Sequence, residues 1–191
     1  MRGMFWNSRG LGDLAKHKHI SDCVRDHALD FVAISECGKR DFATRDLDHF
    51  SCGYDYEWHV LPPSRRSGGI LLGIHSTYLE LLSTSKGEYH IKFHLRNKAD
   101  SFIWSLVAVY GAAQEEFKSA FLKELVNTCR ENPHAMLVGG ISISFGISRK
   151  RTMTDLILVG LFFSTLLSTT SICGSSVCLV AKTPGPITEQ T

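Results

Sequence analysis

The chain has 191 residues, 43% of them hydrophobic and 21% charged, which suits one domain with a buried core. A formal net charge of +2 supplies no broad attraction to nucleic acid or to an anionic membrane, so any such contact must come from a local patch. Cys23, Cys37, Cys52, Cys129, Cys173 and Cys178 show no CxxC pair and no metal-ligand spacing, and no apolar leader opens the chain, so free thiols in a reducing compartment are expected.

The short apolar run Gly3 to Asn7 predicts a strand, and Ser8-Arg-Gly-Leu-Gly12 a turn. Asp13 then caps a helix to about Asp30, with Leu14, Ile20, Val24 and Ala28 on its apolar face. On the same helix, Lys16, Lys18 and Arg25 read as its solvated side, and His17 and His19 lack the spacing of zinc ligands. Asp30 to Ser35 is a second buried strand, ending on Glu36. Tyr54 to Leu61 alternates and runs into Pro62-Pro63, predicting a strand that enters a loop, Arg65-Arg66-Ser67-Gly68-Gly69. Ile70 to Ile74 is continuous enough to be buried on both faces.

Three strands then come without an intervening helix, at Tyr78 to Leu82, Glu88 to Leu95 and Phe102 to Tyr110. Such a run argues for antiparallel pairs in a mixed sheet, against a purely parallel doubly wound one. From Gln114 to Asn132 a helix is clear, with Phe117, Phe121, Leu125 and Cys129 every four residues and Ala120, Leu122 and Val126 widening the stripe. Asn132-Pro133 ends it, and Ala135 to Val138 is a short buried strand running into Gly139-Gly140. The expected fold is α/β (α+β), a two-sheet mixed β-sandwich flanked by helices.

Three strands each deliver one polar residue at their ends: Asn7, Glu36 and Tyr110. A carboxylate and an amide are oxygen ligands suited to Mg²⁺, and a phenol can donate to a phosphate oxygen as charge develops there. On spacing alone, Asn7 could equally be a turn residue, Glu36 a solvated strand end and Tyr110 a half-buried core ring.

Five stretches carry a resemblance: Trp6 to Leu11, Phe31 to Glu36, Ser67 to Leu71, Trp104 to Gly111 and Met136 to Gly140. In order and spacing they resemble the endonuclease/exonuclease/phosphatase superfamily, most of all the N-terminal endonuclease domain of plant non-LTR (LINE-type) retrotransposon polyproteins. The resemblance covers residues 1–140 and implies a two-sheet sandwich that hydrolyses a DNA phosphodiester with Mg²⁺, inside the cell, nuclear or cytoplasmic. It implies no small-molecule cofactor, and it leaves the oligomeric state open. Asn7 and Glu36 match the family's metal-site residues, and Tyr110 its active-site tyrosine. Arg65 and Arg66 could meet a DNA backbone, or simply be a solvated loop. Ala112 stands where a proline is usual.

After Gly140 the match stops. The family continues Asp-Phe-Asn, whereas this chain has Ile141, Ser142 and Ile143, so the groups that orient water and phosphate are lost at Ile141 and Ile143. The family's later Asp-His motif is missing too, because residues 144–191 hold no histidine and only Asp155 and Glu189 as acids. A single-base deletion accounts for the change. Deleting one base from the second glycine codon of a segment encoding Gly-Gly-Asp-Phe-Asn-Ile-Leu-Arg makes it read on as Ile-Ser-Ile-Ser-Phe-Gly, the sequence of Ile141 to Gly146. With permitted codons, Lys150 to Leu167 reads in the other frame as Lys-Lys-Asn-Asn-Asp-Arg-Phe-Asp-Ser-Arg-Trp-Pro-Phe-Leu-Phe-Asn-Ala-Val, which looks like the family's own continuation.

Residues 141–191 are therefore expected to be a non-homologous, frameshifted tail that packs against nothing in the domain. The sandwich would then be incomplete at its C-terminus, with a bare sheet edge. Residues 156–181 carry no charge and are long enough to span a bilayer, but their many Ser and Thr residues and two glycines make a membrane anchor the weaker reading. The expected function is a retrotransposon-derived Mg²⁺-dependent endonuclease domain, associated in its family with reverse transcriptase, that is catalytically impaired. The alternative is a non-enzymatic relic. Genomic DNA across the Gly140 codon tests the tail's origin: an open alternative frame encoding the family continuation is expected, and a closed one would remove the frameshift account.

Overall fold

The computed structural model describes residues 1–64, 68–112, 114–141, 167–173 and 176–181. In chain order the elements are β1 (Arg2–Asn7), α1 (Leu14–His27), β2 (Phe31–Ser35), α2 (Thr44–Ser51), β3 (Tyr56–Leu61), β4 (Ile70–His75) and β5 (Leu79–Lys86). They continue with β6 (His90–Asn97), β7 (Ile103–Tyr110), α3 (Glu115–Arg130), β8 (Ala135–Ile141), β9 (Leu167–Cys173) and β10 (Ser176–Ala181). Among the described residues, ten strands form two mixed sheets, ordered β3-β4-β2-β1-β10-β9 and β5-β6-β7-β8. Among the described strands, only β1 with β2 and β7 with β8 pair in parallel, and those are the two pairs joined through helices α1 and α3.

Alternation along the strands divides the side chains between two layers. Phe5, Phe31, Ala33, Ile70, Leu72, Ile74, Ile91, Phe93, Leu95, Trp104, Leu106 and Ala108 fill the space between the sheets. Met4, Trp6, Val32, Ile34 and Leu71 point the other way, onto Ile20, Val24 and Phe50 of the helices. Val107, Val109 and Val138 meet Phe121 of α3 in the same manner. Burial on both faces is why β1, β2, β4 and β7 read as continuous apolar runs.

At Gly139 the two sheets approach closely. A Cβ there would lie 2.4 Å from the Phe5 ring, so the glycine lets β8 close on β1.

Several expectations need correction. Leu14 is 78% exposed, and Ala28 is the left-handed C-cap of α1 instead of a core residue. The face of α1 is completed by buried His17, whose Nε2 lies 3.0 Å from the Leu11 carbonyl and whose ring meets Phe50 edge-on at 4.9 Å. Helix α2 was not expected because its eight residues carry only Leu47 and Phe50 as apolar anchors. On α3, Ala120, Leu122 and Val126 face solvent, since one sheet covers only a narrow stripe of the helix.

The tail departs most from expectation. β10 pairs antiparallel with β1 from Arg2↔Val180 to Trp6↔Ser176, and β9 pairs with β10, so the β1 edge is covered. An open strand edge accepts any extended segment rich in β-branched residues, because the ladder bonds are made by backbone. Strands at Leu167–Cys173 and Ser176–Ala181 also replace the single membrane-spanning helix considered for 156–181, and no described helix is long and apolar enough to cross a membrane.

Substituting Gly139→Ala should destabilise the fold by about 1–3 kcal/mol through overpacking against Phe5. Urea unfolding measures this, and an unchanged midpoint would show that the two sheets are not in close contact there.

Candidate active site

Where β1 and β2 end side by side, two loops are tied to each other by backbone. The Ser8 amide donates to Ser35 O (3.0 Å), Gly10 N to Glu36 O (2.6 Å) and Leu11 N to Cys37 O (3.1 Å). The Ser8 hydroxyl, 2% exposed, adds a donor shared between Ser35 O at 3.2 Å and Glu36 O at 3.0 Å. Lys16 does not lie on the solvated side of α1 as expected. Its Nζ reaches back to donate to Ser8 O and Gly10 O, both at 2.8 Å, and so closes the β1–α1 loop. Lys18 and Arg25 do stay on the solvated side, paired with Asp22.

This strapping sets the conformation of Glu36. Simple alternation would send Glu36 to the helix side of the sheet, but its φ of +52° turns the chain into the left-handed region. Its carboxylate then reaches between the sheets, where Tyr110 Oη donates to Glu36 Oε1 at 2.6 Å. A non-glycine residue held this way costs on the order of 1–3 kcal/mol, which the surrounding hydrogen bonds must offset. Gly68 lets the opposite loop approach: a Cβ there would sit 3.0 Å from Glu36 Cγ.

Tyr110 is 7% exposed, and its amide donates to Tyr89 O. Burial, then the bond to Glu36 and its charge, push the phenol well above the ordinary tyrosine range, so Tyr110 remains a neutral donor. Cys37, next to Glu36, is held as a thiol because burial raises its pKa, which argues against a cysteine nucleophile here.

The structure thus brings Glu36 and Tyr110 into direct contact. Asn7 stands beside them by register, paired with Ser35, and its Oδ1 accepts from the Arg9 amide at 3.3 Å. Ile141 is the Cα partner of Tyr110, so the position where the resemblance implies an aspartate also falls at this end of the sandwich. Arg65, Arg66 and Ile143 lie outside the described residues. Sequence reasoning missed Lys16 and Ser8, and a serine and a lysine flanking a Gly-rich turn was the available signal.

Among the described residues, no three or more His, Cys, Asp and Glu side chains gather as a metal-binding group. A cation here would therefore rest on the Glu36 carboxylate and the Asn7 amide oxygen. That donor set fits Mg²⁺, which takes one or two carboxylates and keeps several waters. It does not fit a closed tetrahedral zinc site.

No protein-family profile matches the sequence, and no curated protein does. Solved structures do resemble it. The human Nocturnin catalytic domain with bound sulfate anion superposes with a TM-score of 0.51 at 19% identity, covering 73% of this chain and 62% of that one. An endonuclease/exonuclease/phosphatase family protein from Bacteroides thetaiotaomicron gives 0.53 at 13% identity, with 73% and 62% covered. TDP2 from C. elegans gives 0.52 at 16% identity, with 73% and 46% covered. The chain therefore has the fold of these proteins while spanning less than two thirds of the length of each.

Alkaline titration tests the geometry of Tyr110. A phenol whose pKa is raised in the folded state contributes stability that is present below the ordinary value near 10 and is lost as pH rises above it. Tyr56, half-buried and donating to Leu29 O, is raised first by desolvation as well. Tyr56 and Tyr110 should form phenolate only as the protein unfolds, read by ultraviolet absorbance. Tyr110→Phe should remove one late-titrating group, and loss of no late group in that variant would contradict the buried contact.

Proposed function

We propose that this chain is the N-terminal part of a Mg²⁺-dependent DNA phosphodiesterase domain of LINE-type retrotransposon origin, with its hydrolytic step disabled. The observation that carries the reading is the Tyr110–Glu36 hydrogen bond, which joins the ends of strands from opposite sheets at the point where Asn7 also emerges. In this reading Glu36 and Asn7 would hold Mg²⁺, and the bound ion would supply charge to a substrate phosphate. Tyr110, kept protonated by burial, can redirect its hydroxyl from Glu36 to a phosphate oxygen. Arg65 and Arg66 would contact the DNA backbone.

Activation of water is the step left without residues. Ile141, beside Tyr110 in register, can neither accept a proton nor orient a water. The loss of a general base alone lowers rate by on the order of 10² to 10⁴. Domain organisation follows the same reading: residues 1–140 are the endonuclease-like part and residues 141–191 a frameshifted tail, supported by the change of sequence character after Gly140. Such a protein would act inside the cell, nuclear or cytoplasmic. The second reading, a non-enzymatic relic, is favoured by the same Ile141.

Plasmid nicking separates the two readings. The chain as it stands should not nick with Mg²⁺. Replacing residues 141–191 with the restored-frame continuation should yield nicking that chelator abolishes, and Glu36→Ala in that protein should remove it again. Nicking by the unaltered chain that depends on Glu36 would overturn the claim of a disabled site. Failure of the restored protein to nick would favour the relic.

A further inference from the structure

At the other end of the four-stranded sheet, on the face that carries α3, a second polar cluster sits below the helix terminus. Ser105 precedes Tyr110 by five positions on β7, so the cluster lies roughly 16 Å down the strand from the candidate active site. Ser105 is fully buried and is the register partner of His94 on β6. Its hydroxyl donates to Asn132 Oδ1 at 3.0 Å. An amide oxygen only accepts, and a hydroxyl has a single hydrogen to give, so toward His94 Nδ1 at 3.2 Å the Ser105 oxygen must be the acceptor. That fixes the His94 proton on Nδ1 and leaves the lone pair on Nε2.

Asn132 also donates Nδ2 to the His134 carbonyl at 3.2 Å, which ties down the residue carrying the second imidazole. The two rings lie with centroids 4.7 Å apart and planes inclined by 40°. Burial, followed by the nearby His134 and Lys92, lowers the pKa of His94 and disfavours its charged form. Cys129, on the last turn of α3, is kept a thiol by burial. A histidine oriented through one nitrogen by a buried hydrogen bond, with the other left as a donor, is the arrangement found behind metal-ligating imidazoles.

We propose that His94 and His134 form a two-imidazole site for a divalent transition metal ion of the zinc class, separate from the Glu36–Tyr110 end. Imidazole nitrogen suits Zn²⁺, Ni²⁺ and Cu²⁺, whereas Mg²⁺ prefers oxygen. Water completes the coordination, and the nearby Lys92 charge keeps affinity below that of a three-ligand site.

The test is titration of the full chain with Zn²⁺ near neutral pH, followed by calorimetry and by the imidazole proton resonances. His94 and His134 should shift together with one equivalent of metal, and Mg²⁺ should shift neither. Because His134 is exposed, His134→Ala should keep the folded circular dichroism spectrum, lose that equivalent and leave His94 unmoved. Asn132→Leu should weaken binding by roughly ten- to a hundredfold, as loss of a supporting hydrogen bond does. Equal stoichiometry and affinity in wild type and His134→Ala would overturn the proposal, as would a Zn²⁺ titration that leaves His94 unshifted. The difference between the two proteins isolates this site from His19 and Cys23, whose side chains approach to 3.7 Å on α1.

Discussion

The hydrogen bond from Tyr110 to Glu36 spans the two sheets, and the surrounding architecture serves to make it possible. Tyr110 ends a strand of one sheet, and Glu36 follows a strand of the other. They meet only because the apolar layer of Phe5, Phe31, Phe93 and Leu106 holds the sheets at contact distance, and because Gly139 lets β8 close on Phe5. A carboxylate drawn toward that layer needs a partner, since an unpaired buried charge is expensive. The phenol provides it in a form that burial keeps protonated.

A second constraint is the unusual backbone at Glu36. A left-handed glutamate persists only where its neighbours determine it, and here they are Ser8 and Gly10 on one loop, braced by Lys16 of α1, and Gly68 on the other. The lysine ammonium gathers carbonyls from the turn after β1, so the loop that presents Asn7 and the one that presents Glu36 behave as one unit. Strain at a strand end, stabilised by a built loop, is a device for aiming a side chain where alternation alone would not send it.

The tail illustrates a different principle. β10 adds to β1 through backbone ladder bonds, and such bonds make few demands on the identity of the added strand. Covering an edge is therefore compatible with a sequence that supplies none of the expected catalytic groups. Structural closure and chemical competence are separate properties of this chain.

By itself the sequence determined most of the elements: strands ending at Asn7, Ser35, Leu61 and Tyr110, helices α1 and α3, and the mixed sheets were all legible from apolar runs, turn residues and periodicity. Local pattern sufficed there because each strand buries two faces and each long helix one stripe. Helix α2 was too short to show a period, and Leu14, Leu122 and Val126 were misassigned because apolar character states a preference for burial without saying whether a neighbour is present. Only the tertiary structure decided that Glu36 reaches Tyr110, that Lys16 braces a loop, that the tail covers β1 and that His94 meets His134. All but the Lys16 brace, which spans six to eight residues, join residues distant in sequence. Contacts of that kind are set by how sheets stack and strands register, which no local window of residues encodes.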